Sequence, residues 1–206
     1  MRDRIIDELG ELPRSRFLVY LMGPYEAFDV EHVLETADSG AVLESVDFGT
    51  LTDADHDLER DEAALDLLLE VRDHLRANAG VNAFLAIDID VPLSELDAAT
   101  QSIAFARASN AIVYVVPAVG DNLGVGIEVG SVLEALYAED AADHRRERVV
   151  FVHESGVRSA MIAAVRDRWE ARIYSYDDRE DLNRQIRLFV RDLVRKERTG
   201  ELPRLE

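Results

Sequence analysis

The chain has 206 residues, enough for one domain with a sizeable core, and 48% of them are apolar. It contains no cysteine, which excludes disulfides, thiolate metal sites and a cysteine nucleophile. Its 42 acids against 23 bases give a net charge of -19, which argues against nucleic acid as a sequence-independent partner, since that binding needs clustered positive charge.

The acids are spread along the chain, and Lys196 is the single lysine. Self-repulsion on this scale strains a small fold in dilute buffer. At molar salt the Debye length falls to ~3 Å and the strain fades. Dispersed Asp and Glu with almost no Lys therefore suggest a halophilic protein of a very salty cytoplasm. The start, MRDRIIDELGELPRSR, is charged throughout and has no signal-peptide core. No apolar run approaches the ~20 residues that span a bilayer. A soluble, cytoplasmic protein without a membrane partner is expected.

In chain order, residues 4–12 read as a short packing helix. Phe17–Met22 (FLVYLM) is a continuous apolar run ended by Gly23-Pro24, the mark of a buried strand. Residues 26–56 are acidic, weakly periodic and long for a connection; they read as an insertion within a single domain over 1–206. A helix is predicted over Asp57–Ala77, with Ala64, Leu67, Leu68, Val71 and Leu75 on one face, and Gly80 ends it. Val81–Ile89 is the second strand. Ser94 is the expected N-cap of a helix running to about Ser109, which buries Leu96, Ile103 and Phe105 or Ala106. Ala111–Val116 is the third strand, stopped by Pro117. Arg148–His153 is the fourth, followed by a helix around Val157–Arg168. Ala171–Tyr176 is the fifth. Asp181–Arg195 closes the chain as an amphipathic helix with Leu182, Ile186, Phe189, Val190 and Leu193 apolar.

Five strands alternating with helices imply an α/β protein with a doubly wound parallel sheet. The flavodoxin-like order 2-1-3-4-5, with helices on both faces, is predicted. It places the carboxyl ends of strands one and three at the topological switch point, where such sheets take ligands. Gly23-Pro24 and the segment from Gly120 to Glu128 would then face one another. That segment reads as a glycine-rich loop (Gly120, Gly124, Gly126) leading to a helix with Val129, Val132, Leu133, Leu136 and Tyr137 on its apolar face. Glu128 is expected at the loop-to-helix junction, a candidate catalytic carboxylate. A first-turn acid that complements the helix dipole, worth ~0.3–1 kcal/mol, accounts for it equally well.

Two motifs carry a resemblance. Tyr20-Leu-Met-Gly23-Pro24 is similar to the first-strand motif of nucleoside 2-deoxyribosyltransferases and their nucleotide N-glycosidase relatives. Gly124-Val-Gly-Ile-Glu128-Val-Gly130 resembles that family's glycine, three residues, glutamate, one residue, glycine pattern. A broader likeness to TIR-like NAD-cleaving domains shares the layout and a catalytic glutamate. The resemblance runs from about Phe17 to Tyr137. It implies that Glu128 is the nucleophile at the anomeric carbon and that Tyr20 orients it. It also implies a homodimer or larger homo-oligomer.

The departures from that pattern bear on the leaving base. Ser102, beside Gln101, stands where the family has an aspartate. Asn122 stands where it has an acid, with Asp121 one place away, and Val125 replaces a hydroxyl residue. Asn183 is a possible stand-in for an asparagine that a neighbouring subunit supplies in some members. Cleaving an N-glycosidic bond needs a carboxylate at the sugar and a second group to protonate the base. Asp121, Asp88 and Asp90 are the carboxylates available for that second task. The expected catalytic set is Glu128, Tyr20 and Asp121. Gly23, Pro24, Asp88, Ser102, Asn122, Gly124 and Gly126 are expected to bind a small-molecule nucleoside or nucleotide, with no cofactor.

Three functions stay open: N-glycosidic cleavage or deoxyribosyl transfer; a catalytically degenerate nucleotide-sensing or scaffold domain; and NAD binding or cleavage. The third draws on Gly124, Gly126 and Gly130, whose GxGxxxG spacing is an imperfect dinucleotide fingerprint, and on Glu154 as a ribose ligand. The five histidines show no metal-ligand spacing, so no metal is expected.

Overall fold

A computed structural model describes residues 1–24, 51–118, 122–138, 142–157, 166–169 and 171–205, without the side chains of 51–61, 122–128 and 142–143. The elements are α1 (Arg2–Leu9), β1 (Arg14–Met22), α2 (Leu51–Ala79), β2 (Val81–Phe84), α3 (Ala98–Ala108), β3 (Ala111–Val116), α4 (Asn122–Tyr137), α5 (Ala142–Arg146), β4 (Val149–Glu154), β5 (Arg172–Tyr176) and α6 (Arg179–Thr199). The five strands form one sheet in the order β2-β1-β3-β4-β5. All four pairings are parallel. The predicted flavodoxin-like architecture is the observed one.

Strand alternation sorts the core into two layers. Leu18, Tyr20, Met22, Ile112, Tyr114, Val149 and Phe151 point to one face, where Ile5 of α1, Phe105 and Ala106 of α3, and Val129, Val132, Leu133 and Leu136 of α4 cover them. Phe17, Val19, Leu21, Val113, Val115, Val150 and Val152 point to the other, under Leu67, Leu68, Val71 and Leu75 of α2 and Leu182, Ile186, Phe189, Val190 and Leu193 of α6. Because both faces are covered, β1 from Phe17 onward, β2 and β3 are buried at every residue.

Helix ends follow local chemistry. Gly80 adopts φ +64° after α2, and a Cβ there would meet Pro13 at 3.3 Å, so glycine meets both demands of the position. Asp178 caps α6 by accepting from Asp181 N–H at 2.8 Å, which starts that helix two residues before the predicted Asp181.

Besides shifts of a few residues at other element ends, three differences from the sequence reading bear on the site. The second strand ends at Phe84, and Ala86–Asp88 form a 3-10 turn, because Asp88 Oδ2 takes the Leu85 N–H at 2.9 Å away from any ladder. Ser94 lies in a turn; Asp97 is the cap of α3, accepting from Thr100 N–H at 3.0 Å. The Thr100 hydroxyl first, and that backbone bond second, hold the Asp97 carboxyl below its ordinary range. Helix α4 begins at Asn122, so residues 122–127 are helical where a loop is predicted. Glycine in a helix interior costs about 1 kcal/mol, but propagation from a packed apolar face is favourable enough to carry the turns backward. Of the predicted insertion, residues 51–56 belong to α2 and the remainder lies outside the described residues; so does most of the helix predicted at Val157–Arg168.

Candidate functional site

The carboxyl edge of the sheet is built from the ends of β1, β3 and β4. At β1, Gly23 follows Met22, whose Cα pairs with Tyr114. A Cβ on Gly23 would lie 2.8 Å from Leu68 Cδ1 and 3.2 Å from the Val115 carbonyl oxygen. Its small size admits the α2 side chain over the strand end, a packing role in a residue expected to bind substrate. Pro24 beside it is buried. At β3, the chain leaves the sheet at Pro117, and the Ala118 N–H donates to Glu154 Oε2 at 2.8 Å. Glu154, expected as a ribose ligand in the dinucleotide reading, thus ties β4 to the turn after β3. Its carboxylate also lies near Tyr176, whose hydroxyl is pushed well above the usual phenol range by burial first and by Glu154 second.

Asp88 does not present a free carboxylate. Arg72 Nη1 donates to its Oδ1 at 2.5 Å, and Arg76 Nη2 lies 3.6 Å from Oδ2. Two guanidiniums from α2 therefore pin the turn after β2. Asp90 is exposed against α1, its N–H donating to Glu8 Oε2 at 2.9 Å.

Tyr20 is a core residue, 1% exposed. Its ring stacks on Phe84 with centroids 5.1 Å apart and meets Phe105 edge-on at 5.7 Å. Its hydroxyl donates to Ser102 Oγ at 3.5 Å, and Ser102 is itself buried. The two positions singled out by resemblance are thus brought together, 82 residues apart in sequence. Gln101 is turned away, donating to Val91 and Leu96 carbonyls.

Glu128 is not at the loop-to-helix junction. With Asn122 as the first helical residue, it lies in the second turn of α4, one position before the buried Val129. The side chains of Glu128 and Asn122, the surroundings of Gly124 and Gly126, and the whole of Asp121 fall outside the described residues. Gly130, the last glycine of the pattern, is described: a Cβ there meets nothing within 4 Å. Gly130→Ala is therefore expected to stabilise the fold by about 0.5–1 kcal/mol, read as a higher Tm. A lower Tm would show that the glycine is required for packing.

Asn183, on α6, is buried, and its Oδ1 has no hydrogen-bond partner among the described residues. Sequence reasoning missed a second buried group at the opposite edge: Arg148, 1% exposed, paired with Glu197. Arg148 was legible only as the start of a strand, since its partner is far along the chain. Among the described residues, no group of three His, Asp or Glu side chains could hold a metal ion. No described helix is long and apolar enough to cross a membrane.

Fold and edge together define an α/β protein of flavodoxin-like topology whose strand ends are braced by paired carboxylates. The chain belongs to the family described as a domain of unknown function, DUF7509, which matches residues 2–206. No curated protein matches it.

Proposed function

We propose that this protein binds a nucleoside or nucleotide at the carboxyl ends of β1 and β3 and does not cleave it. The strand order supports the location, because ligands of open α/β sheets sit where the order reverses, here between β1 and β3. The observation that supports a lack of turnover is the state of Asp88 and Glu154, strand-end carboxylates among the described residues. Asp88 is neutralised by Arg72 and Arg76, and Glu154 is engaged by the Ala118 N–H. Where the resemblance implies an acid, Ser102 offers a buried hydroxyl. A serine hydroxyl is a poor proton donor to a departing base, and N-glycosidic cleavage needs that donor as well as a carboxylate at the sugar.

The second reading is an active N-glycosidase with Glu128 as nucleophile and Asp121 as acid. The contact of Tyr20 with Ser102 favours it, because the orienting tyrosine of the resemblance lies on the face that α4 covers. Calorimetric titration with deoxynucleosides, deoxynucleotides and NAD, in molar KCl to suit a chain of charge -19, separates the readings. Binding with no released base by chromatography is the expected result. Base release that disappears in Glu128→Gln would establish the enzyme instead. Failure of every ligand to bind would end both readings. Sedimentation in the same buffer tests the proposed homo-oligomer.

A further inference from the structure

We propose a second ligand site at the amino edge of the sheet, an arginine-lined groove that takes an organic anion bearing two or more phosphate groups. The groove consists of two hollows. One, of about 330 Å³, lies between the end of α2 and α6 and is lined by Arg14, Arg187 and Arg191. The other, of about 570 Å³, is lined by Arg14, Arg16, Arg198 and Arg204. They share Arg14 and Val194, so one ligand can reach both. Each has the size of a small-molecule site.

The charge pattern carries the inference. In a chain of 42 acids and 23 bases, an exposed arginine ordinarily finds a carboxylate. Helix α6 shows both cases. Arg184 pairs with Asp181, Arg195 with Asp192 and Glu201, and Lys196 with Glu147. Arg187, Arg191 and Arg198, spaced by four and seven residues and so on one helix face, have no ion-pair partner among the described residues. Those three line the hollows, together with Arg14 and Arg16, which likewise have no ion-pair partner among the described residues. The one carboxylate in the lining, Glu197, is already held by Arg148 and by Asn110 Nδ2. A surface rich in acids has thus left one concave patch positive.

The chemistry of the patch selects the ligand class. Guanidinium forks bind phosphate bidentately through short contacts. Such contacts persist at salt concentrations that screen long-range attraction. Several forks around one groove call for several anionic groups. Val81, Val190 and Val194 on one side, with Phe17 on the other, supply apolar wall for an organic part. Arg14 is positioned by its own bond to the Ala79 carbonyl at 2.6 Å, which fixes it at the end of α2.

This site stands apart from the carboxyl edge and does not depend on the function proposed there. The test is calorimetric titration of the full chain, in molar KCl, with ADP and with inorganic tripolyphosphate. The wild type is compared with the Arg187→Glu/Arg191→Glu double variant, its fold checked by circular dichroism; Arg187→Gln/Arg191→Gln is the milder substitute. Both arginines are exposed and have no ion-pair partner among the described residues, so the fold should persist. Loss of at least about tenfold in tripolyphosphate affinity in the double variant, with Arg184→Gln, an exposed arginine of the same helix outside both hollows, unaffected, is the expected result. An ADP affinity above that of tripolyphosphate that the double variant loses assigns the apolar wall to the organic part. Equal tripolyphosphate affinity in variant and wild type, no binding of that anion, or response only to a nucleic acid or to a second copy of the chain would overturn the proposal.

Discussion

Glu197→Ala is expected to lower folding stability by about 3–5 kcal/mol, the cost of leaving one member of a buried ion pair alone. Arg148 Nη1 lies 2.5 Å from Glu197 Oε1 and 2.9 Å from the Asn110 carbonyl, and Nη2 donates to the Pro203 carbonyl at 2.5 Å. Asn110 completes the group, donating Nδ2 to Glu197 at 2.9 Å and accepting the Leu18 N–H at 3.0 Å. Four segments therefore meet at one guanidinium, the start of β3, the start of β4, α6 and the C-terminal stretch, and the Asn110 side chain ties β1 to them. Removing the carboxylate strands a cation that is 1% exposed and frees the Asn110 amide as well. Urea denaturation in molar KCl measures the loss as a fall in midpoint at constant slope. The Arg148→Met/Glu197→Leu pair should recover much of it, since apolar replacement of both partners removes the stranded charge. A Glu197→Ala effect below about 1 kcal/mol would mean that water solvates the pair as it does a surface bridge.

Phe105→Ala is the second large effect, expected at about 3–5 kcal/mol from lost burial and the cavity left behind. The ring is fully buried on α3 and meets Tyr20 and Phe84 edge-on at 5.7 and 5.8 Å. These rings join α3 to β1 and β2 on the face that also carries Ser102. The variant should therefore weaken the ligand binding proposed at the carboxyl edge along with the fold, through Tyr20 and Ser102. Comparing Tm with and without ligand separates the two losses. An unchanged Tm would show that the three-ring cluster relaxes to fill the space.

Strand identity was open to reading from the sequence because β1, β3 and β4 each contain a short apolar run. Ala111–Val116 has the predicted limits, and β5 differs by one residue. The apolar face of α6 was legible for the same reason: Leu182, Ile186, Phe189, Val190 and Leu193 repeat at helical spacing and are all buried. The candidate site was less legible, because its key residues depend on competing hydrogen bonds. Ser94 and Asp97 are both competent caps, and only the turn through Leu93–Glu95 decides for Asp97. Asp88 looked available because neither Arg72 nor Arg76 signals its partner across α2 and β2.

Composition and periodicity alone determined the layered parallel sheet and the acidic character of the surface, since both arise from residues near one another in the chain. Tertiary structure decided where charge is spent. Pairing Arg148 with Glu197, sealing Tyr20 under Phe84 and Phe105, and gathering Arg14 and Arg16 with Arg187, Arg191 and Arg198 all join distant segments. An electrostatic or packing contact depends on separation in space, and the folded chain sets that separation.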